Sequence, residues 1–536
     1  MSTTTNRSAP VLGAGRLTLL VLRRDRVRIL LWVAGIVGLL VASAESIKGL
    51  YRTPAEFLQY GRLVKDNAAL IVQSGPGYGL DEPTLGSVLM NETGIWTFIA
   101  VAVMNVFMVV RHTRAEEESE RAELIRSAPV GRHAQLAAAL AGALVANAII
   151  AAGIIAAFVG CGLSLGGSIA FACAVAGAGA VFASVASIAA QVASGARAAI
   201  AIGTGAIAVS FVLRAIGDVG NGVLSWLSPI GWAQAIRAFV DERWWVLAVQ
   251  LVSSAGGVAL AVFLQTRRDL GAGLIGQRPG RTTALPGLRT ARALATRLHR
   301  PTIIGWSIAM ALLGFFYGIV ADQAESILED NPDMADFWAM LGTGSITDAF
   351  LATSMLMMGL MATGYTVSAI LRMRTEETAA RADLVLATPT SRRRWMGGHL
   401  LLASGGTVTV MAATGVAMGA GFASVTGDVG QIPRMLGAAM AMVPAMLVVA
   451  GVTTTLYGLL PKWSLLAWGF FVFVVVVGLL QTILDLPQWV LDVSPFQHVP
   501  AIPAAPFQLM PVIWLMVAAA ALVAAGVLAT EHRDIG

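Results

Sequence analysis

The sequence predicts an all-α polytopic membrane protein with twelve transmembrane helices in two parallel halves of six. Three observations carry this. First, 57% of the residues are hydrophobic and 12% charged, about half the charge of a soluble domain at roughly 25%, and the mean hydropathy is +0.74. Second, the apolar residues fall in long runs, and about 20 residues at 1.5 Å each cross a hydrocarbon core of about 30 Å. Third, a polar segment inside this apolar chain occurs twice: RAEEESERAELIRSAPVGR at 114–132 and RTEETAARADLVLATPTSR at 374–392.

In chain order the predicted spans are 28–47, 94–111, 135–160, 168–192, 198–216 and 244–265, then 301–320, 350–371, 396–424, 434–460, 464–485 and 508–530. Abundant Gly and Ala suit helices that pack closely through small residues. The start resembles a signal peptide (RRDRVR, an apolar run, Ala42-Ser43-Ala44). Its apolar run is as long as a full span, so retention is expected. Arg23, Arg24, Arg26 and Arg28 precede the first span, and 266–300 holds eight Arg against one Asp. Both flanks are therefore expected in the cytoplasm, and an even number of spans puts both termini there. The acidic stretch 321–349 should face outward. Cys161 and Cys173 lie in or near apolar runs and read as small core residues more readily than as a disulfide.

The two polar segments align at an offset of 260, with identities at Arg114/Arg374, Glu116/Glu376, Glu117/Glu377, Arg121/Arg381, Ala122/Ala382, Leu124/Leu384, Pro129/Pro389 and Arg132/Arg392. Glu123/Asp383 is a close match. RVRILLW (26–32) parallels RPTIIGW (300–306), LSPI (227–230) parallels VSPF (493–496), and RDLG (268–271) parallels RDIG (533–536). The expected organisation is a first six-helix domain at 1–272, a linker at 273–300 and a second six-helix domain at 301–536, in the same orientation. The stretches 16–28 and 288–300 read either as amphipathic helices at the cytoplasmic interface or as basic flanks that only set topology.

A helix over 114–127 would set Glu117 beside Arg121, and Glu377 beside Arg381, at i,i+4, a pairing worth about 0.2–0.5 kcal/mol. Pro129 and Pro389 would end it. A charged connector is ordinarily a solvated loop. This one is acidic as well as basic and recurs with fixed offsets, which suggests docking on a duplicated partner.

The pattern E-E-x-x-x-R-A-[ED]-L-[IV]-x-x-x-P-x-x-R between spans two and three resembles the coupling-helix region of ABC-2-type transporter permeases. With RRDLGAGL closing the first half, the layout is most similar to fused two-half permeases of actinobacterial polyketide-antibiotic exporters of the tetronasin type. That resemblance implies a type V exporter-like fold and alternating access that carries hydrophobic compounds outward. It also implies two copies of a separate cytoplasmic ABC ATPase subunit holding ATP and Mg, with no cofactor in this chain. The implied ATPase-coupling residues are Glu116, Glu117, Arg121, Glu123, Leu124, Pro129 and Arg132, and Glu376, Glu377, Arg381, Asp383, Leu384, Pro389 and Arg392. The segments 221–243 and 486–505 become outer re-entrant helices or an aromatic belt. The implied location is the bacterial inner membrane, among lipids and without nucleic acid.

No G-x-x-x-x-G-K-[ST] occurs, the only lysines being Lys48, Lys65 and Lys462, so a P-loop is excluded. No H-E-x-x-H occurs either, and no arrangement suggests an enzyme. A proton-coupled secondary multidrug transporter is the alternative. It would want ionisable residues at mid-span, and Glu92, Asp348 and Arg214 lie instead near span ends. Met104, Phe107 and Met108 in span two, and Met355, Met357, Met358 and Met361 in span eight, either line an adaptable apolar cavity or pack the core.

Overall fold

The computed structural model describes residues 10–65, 68–119, 123, 127–269, 271–276, 283, 290–321, 346–484 and 487–531, and every regular element among them is helical. Among the described residues eleven helices are long and apolar enough to cross a membrane, and Leu466–Leu479 adds a shorter apolar stretch. The chain is a multi-pass membrane protein. It divides into two compact units, Met1–Gly280 and Arg281–Gly536.

In the first unit the long helices are α1 (Ala14–Leu50), α4 (Leu85–His112), α6 (Ala134–Gly160), α7 (Leu165–Val192), α8 (Ala196–Val219) and α10 (Val246–Thr266). Short helices α2 (Pro54–Lys65) and α3 (Ala68–Ser74) precede α4, α5 (Arg114–Glu118) follows it, and α9 (Pro229–Ala235) precedes α10. Within the most apolar stretch of α4 72% of residues are buried, and of α7 67%, against 22% for α1 and for α10. Helices α4 and α7 are therefore the centre of the unit. Caps fix where helices start: Thr84 and Ser87 satisfy each other's backbone N–H groups at α4, and Ser228 accepts from Gly231 N at α9 with Pro229 at its first position. Inside the bundle Asn105 Nδ2 donates to Asn147 Oδ1 (2.8 Å) and Asn147 Nδ2 to Asn105 Oδ1 (3.2 Å). This pair joins α4 to α6 where leaving either amide unpaired would be costly.

The second unit holds α11 (Ala291–Val320), α12 (Ile346–Thr378), α13 (Arg381–Leu386), α14 (Arg392–Thr426), α15 (Gln431–Leu459), α16 (Leu466–Leu484), α17 (Gln488–Leu491) and α18 (Leu509–Glu531). Its buried helices are α12 and α15, at 78% and 67%, against 22% for α11 and 17% for α18. The packing partners repeat those of the first unit. Helix α11 packs on α14 as α1 does on α6, α12 on α15 as α4 on α7, and α15 on α18 as α7 on α10. Thr366 and Thr407 share a buried hydroxyl hydrogen bond of 2.9 Å between α12 and α14. Position 407 is the counterpart of Asn147, so the polar link recurs with different chemistry.

Three expectations need correction. The stretches 16–28 and 288–300 are not separate interfacial helices where described. Helix α1 runs without a break from Ala14, and α11 runs from Ala291 straight through Pro301. The single helix expected over 114–127 is also absent: Thr113 (φ −119, ψ −84) breaks the chain after α4 and α5 ends at Glu118. Residues 51–84, unassigned from sequence, carry α2 and α3. Burial pushes the Tyr60 phenol well above its ordinary 10, so it stays protonated and donates to Asn91 Oδ1 at 2.8 Å. Arg214 of α8, fully buried, donates to the carbonyls of Ile71 (3.2 Å) and Val72 (2.6 Å), tying α3 down. The stretches 221–243 and 487–505 do contain short helices, Leu224–Leu227 with α9, and α17 with Pro495–His498. Cys161 and Cys173 are both free thiols. Of the acidic stretch 321–349, residues 322–345 lie outside the described residues, and Asp348 pairs with Arg434 at 2.7 Å.

Candidate functional site

The first polar segment separates into a fixed base and an exposed tip. Arg114 is 1% exposed. Its Nη1 donates to Glu117 Oε2 (2.8 Å) and Ala272 O (3.1 Å), and its Nη2 to Ser194 O (2.6 Å) and Gly271 O (2.8 Å). Arg268 meets the other side of Glu117, Nη1 to Oε2 at 2.8 Å and Nη2 to Oε1 at 2.7 Å, while its Nε donates to Gln191 Oε1 at 2.7 Å. A bidentate fork on a carboxylate is among the stronger and more directional polar contacts. Glu116 pairs with Arg24 at 2.6 Å. Glu118 accepts from Ala196 N at 2.8 Å, a carboxylate on the positive N-terminus of α8. All three consecutive glutamates are thus used inside the unit.

Glu117 therefore does not depend on an i,i+4 partner. Arg121 and Leu124 lie outside the described residues. Beyond the base, Glu123, Ser127, Ala128 and Pro129 are exposed. The segment is closed at its far end by backbone: Gly131 N donates to Leu12 O and His133 N to Pro10 O, both at 2.9 Å. Arg132 Nη2 donates to Gln265 O at 3.1 Å, fixing it to the end of α10.

In the second copy α12 continues unbroken through Arg374, Glu376 and Glu377 to Thr378. Ala380 then takes a left-handed conformation (φ 53) and α13 begins. The expected Glu377–Arg381 pair is replaced by Glu376, one residue earlier: Arg381 Nε donates to Glu376 Oε2 at 2.8 Å and Nη2 to Oε1 at 3.2 Å. The left-handed residue rotates Arg381 off the helical register that would have faced Glu377. Glu377 lies 3.6 Å from Arg374. Asp383 and Pro389 are exposed, Leu384 is 75% exposed, and Arg392 is half-buried at the start of α14.

The apolar candidates divide as well. Met104 and Met108 are buried and Phe107 is 43% exposed, and all three border a cavity of about 270 Å³ between α1 and α4. Met355 and Met358 are buried in the second unit's core, and Met361 is exposed. A smaller cavity of about 80 Å³ there is bordered by Leu356, Met442 and Phe496. Among the described residues no cluster of three or more His, Cys, Asp or Glu could hold a metal ion.

Sequence reasoning missed Arg268 and the buried Asp25, which lies 2.5 Å from His112 Nε2. The RDLG/RDIG echo was the available signal for Arg268. Its second-half counterpart, in 533–536, lies outside the described residues.

Two comparisons with known proteins find relatives of this chain. A family model described as the multidrug efflux system permease Rv1217c, C-terminal domain, matches residues 288–530. The multidrug efflux system permease protein Rv1217c of Mycobacterium tuberculosis (strain ATCC 25618 / H37Rv) is 38% identical across 99% of this chain and 96% of its own length. On this near end-to-end similarity, the chain belongs to the family of the multidrug efflux system permease Rv1217c.

Proposed function

We propose that this chain is the permease subunit of an ABC-2-type exporter in a bacterial inner membrane, with both termini cytoplasmic. It moves hydrophobic compounds outward by alternating access, and the energy comes from ATP and Mg bound to a separate pair of ATPase subunits. The relative's name supports efflux of drug-like molecules, and the tetronasin-type layout supports hydrophobic antibiotics as cargo. One observation carries the docking part of the reading: each polar segment has its inner charges fixed within the fold, and the described residues beyond them include exposed ones, Glu123 and Pro129 in the first and Asp383, Leu384 and Pro389 in the second. A connector that only joined two spans would need no such base. The contact residues are then Glu123 and Pro129 in one copy and Asp383, Leu384 and Pro389 in the other. Glu116, Glu117 and Glu376 hold the segments in place.

The test is co-purification with a co-expressed ABC ATPase subunit from the same organism. Combining Asp383→Arg with Leu384→Asp should lower ATPase recovery by about tenfold, equivalent to about 1.4 kcal/mol, as expected for a central interface contact. Retention of full ATPase recovery and ATP-dependent transport would remove these residues from the interface. A proton-coupled antiporter has one observation on its side, the buried Asp25–His112 pair. Transport into vesicles by the chain alone, driven by a proton gradient, would favour that reading instead.

A further inference from the structure

The cavity between α1 and α4 has a polar end and an apolar end, and both helices build it with the same spacing. Asp25, Arg28, Ile29 and Trp32 form one face of α1 at i, i+3, i+4 and i+7. Met104, Phe107, Met108 and Arg111 do the same on α4. The helices oppose one another, so Arg28 and Arg111 meet at one end and Trp32 and Met104 at the other. Seven residues of helix give the lining a length of about 10 Å. The volume, about 270 Å³, approaches the lower bound of small-molecule sites at about 300 Å³.

The polar end is aimed by a buried carboxylate. Asp25 is 2% exposed. Its Oδ1 draws in Arg28 Nη1 at 3.0 Å and Arg111 Nη1 at 3.4 Å, and its Oδ2 faces His112 Nε2 at 2.5 Å. Two guanidinium groups converge on one carboxylate oxygen, so the end carries a net positive charge. Both arginine side chains remain partly exposed, at 55% and 32%.

The second unit shows that this is not a generic gap between the first two spans. Aligned through RVRILLW/RPTIIGW and the repeat offset, Thr302 and Leu371 stand where the arginines are. The tryptophan is kept, but Trp306 packs edge-on against Tyr365 with ring centroids 6.3 Å apart. It also comes within 3.6 Å of where a side chain on Gly364, the counterpart of Met104, would begin. There the tryptophan takes up the apolar end, and neither aligned position carries an arginine.

We propose that the first unit binds an amphiphile with an anionic head, a carboxylate or phosphate, between α1 and α4. The head bridges Arg28 and Arg111, and the first part of the apolar chain lies along Trp32, Met104 and Phe107. Guanidinium is suited to such acids because it offers two parallel donors, and a thioether-lined wall adapts to varied apolar shapes. The chemistry fits a free amphiphile or an anionic lipid headgroup with its adjoining chain. The inference does not depend on the ATPase reading.

The test uses the full-length permease without any ATPase, so failure of the exporter reading leaves it intact. The protein in phosphatidylcholine nanodiscs is photolabelled with a diazirine-bearing twelve-carbon fatty acid or with the alcohol of equal length, and labelled peptides are mapped. The acid should label peptides containing 25–32 and 104–111 at least tenfold above the alcohol. Arg28→Gln with Arg111→Gln should abolish that preference while alcohol labelling persists, and the corresponding double Lys variant should retain it. Phe107→Trp, which fills the apolar end without changing charge, should reduce labelling by both probes. Competition by added phosphatidylglycerol supports a lipid source, and its failure to compete supports a free amphiphile. Equal labelling by acid and alcohol in the unmodified protein, or an acid preference that survives the double Gln change, overturns the proposal.

Discussion

Glu117→Ala is expected to destabilise the first unit by about 3–5 kcal/mol, the range for removing one member of a buried ion pair. The glutamate is 5% exposed as a side chain, and its partners Arg114 and Arg268 are 1% and 5% exposed. Its loss leaves two guanidinium groups out of water without their counter-charge, and those two then repel each other. Arg114 keeps its three carbonyl acceptors, which limits the loss but does not neutralise it. The comparison that decides the matter is Glu123→Ala, an exposed glutamate in the same segment, which should stay within about 0.5 kcal/mol of the unmodified protein. Thermal melting of the purified chain in detergent reads both. Equal melting points for the two variants would show that Glu117 does not hold the segment.

A comparable loss is expected for Gly318→Leu in the second unit. Helices α11 and α14 meet backbone to backbone there: a side chain starting at Gly318 would lie 2.1 Å from Met418 O and 2.8 Å from Phe422 N. Gly421 on the facing helix is equally close, 2.1 Å from Phe315 O, and Gly314 one turn away leaves 2.8 Å to Thr414 O. This is the small-xxx-small contact through which membrane helices approach in the absence of a hydrophobic drive between them. Overpacking typically costs about 1–3 kcal/mol, and the upper end applies where the obstructing atoms are backbone that cannot rotate away. Gly305→Leu on the same helix meets nothing within 4 Å. It should be neutral or slightly stabilising, since leucine is the better helix former by roughly 0.8 kcal/mol. Protease resistance of the second unit would separate the two, and equal resistance would contradict the close contact.

The sequence disclosed what is local. A span is a run of apolar residues, so the long helices could be placed to within a few residues over most of their length. The repeat also pointed to the recurrence of helix partners. Failure came where a residue's role depends on distant chain. Arg114 is used by Ser194, Gly271 and Ala272, and Glu117 by Arg268, separations that no helical periodicity encodes. The i,i+4 argument for Glu377 and Arg381 failed for a different reason, because one left-handed alanine between them reset the register. The ends of α1 and α11 were missed because basic residues stop a hydropathy run without stopping a helix. Arginine is a good helix former, and its long stem lets the charge reach water while the backbone continues.

The two polar segments differ in how they are joined to the central helix of their unit. In the second unit the α12 backbone itself reaches Thr378, so the joint is a strut of consecutive peptide hydrogen bonds. In the first, the chain kinks at Thr113 and stiffness is restored by side chains riveted across the break, chiefly Arg114 and Arg268. A strut yields only by unwinding, whereas rivets can be drawn one at a time by substitution. A load on the two tips, of the kind the proposed ATPase docking would apply, would therefore meet joints of unequal compliance, and the first would slip before the second.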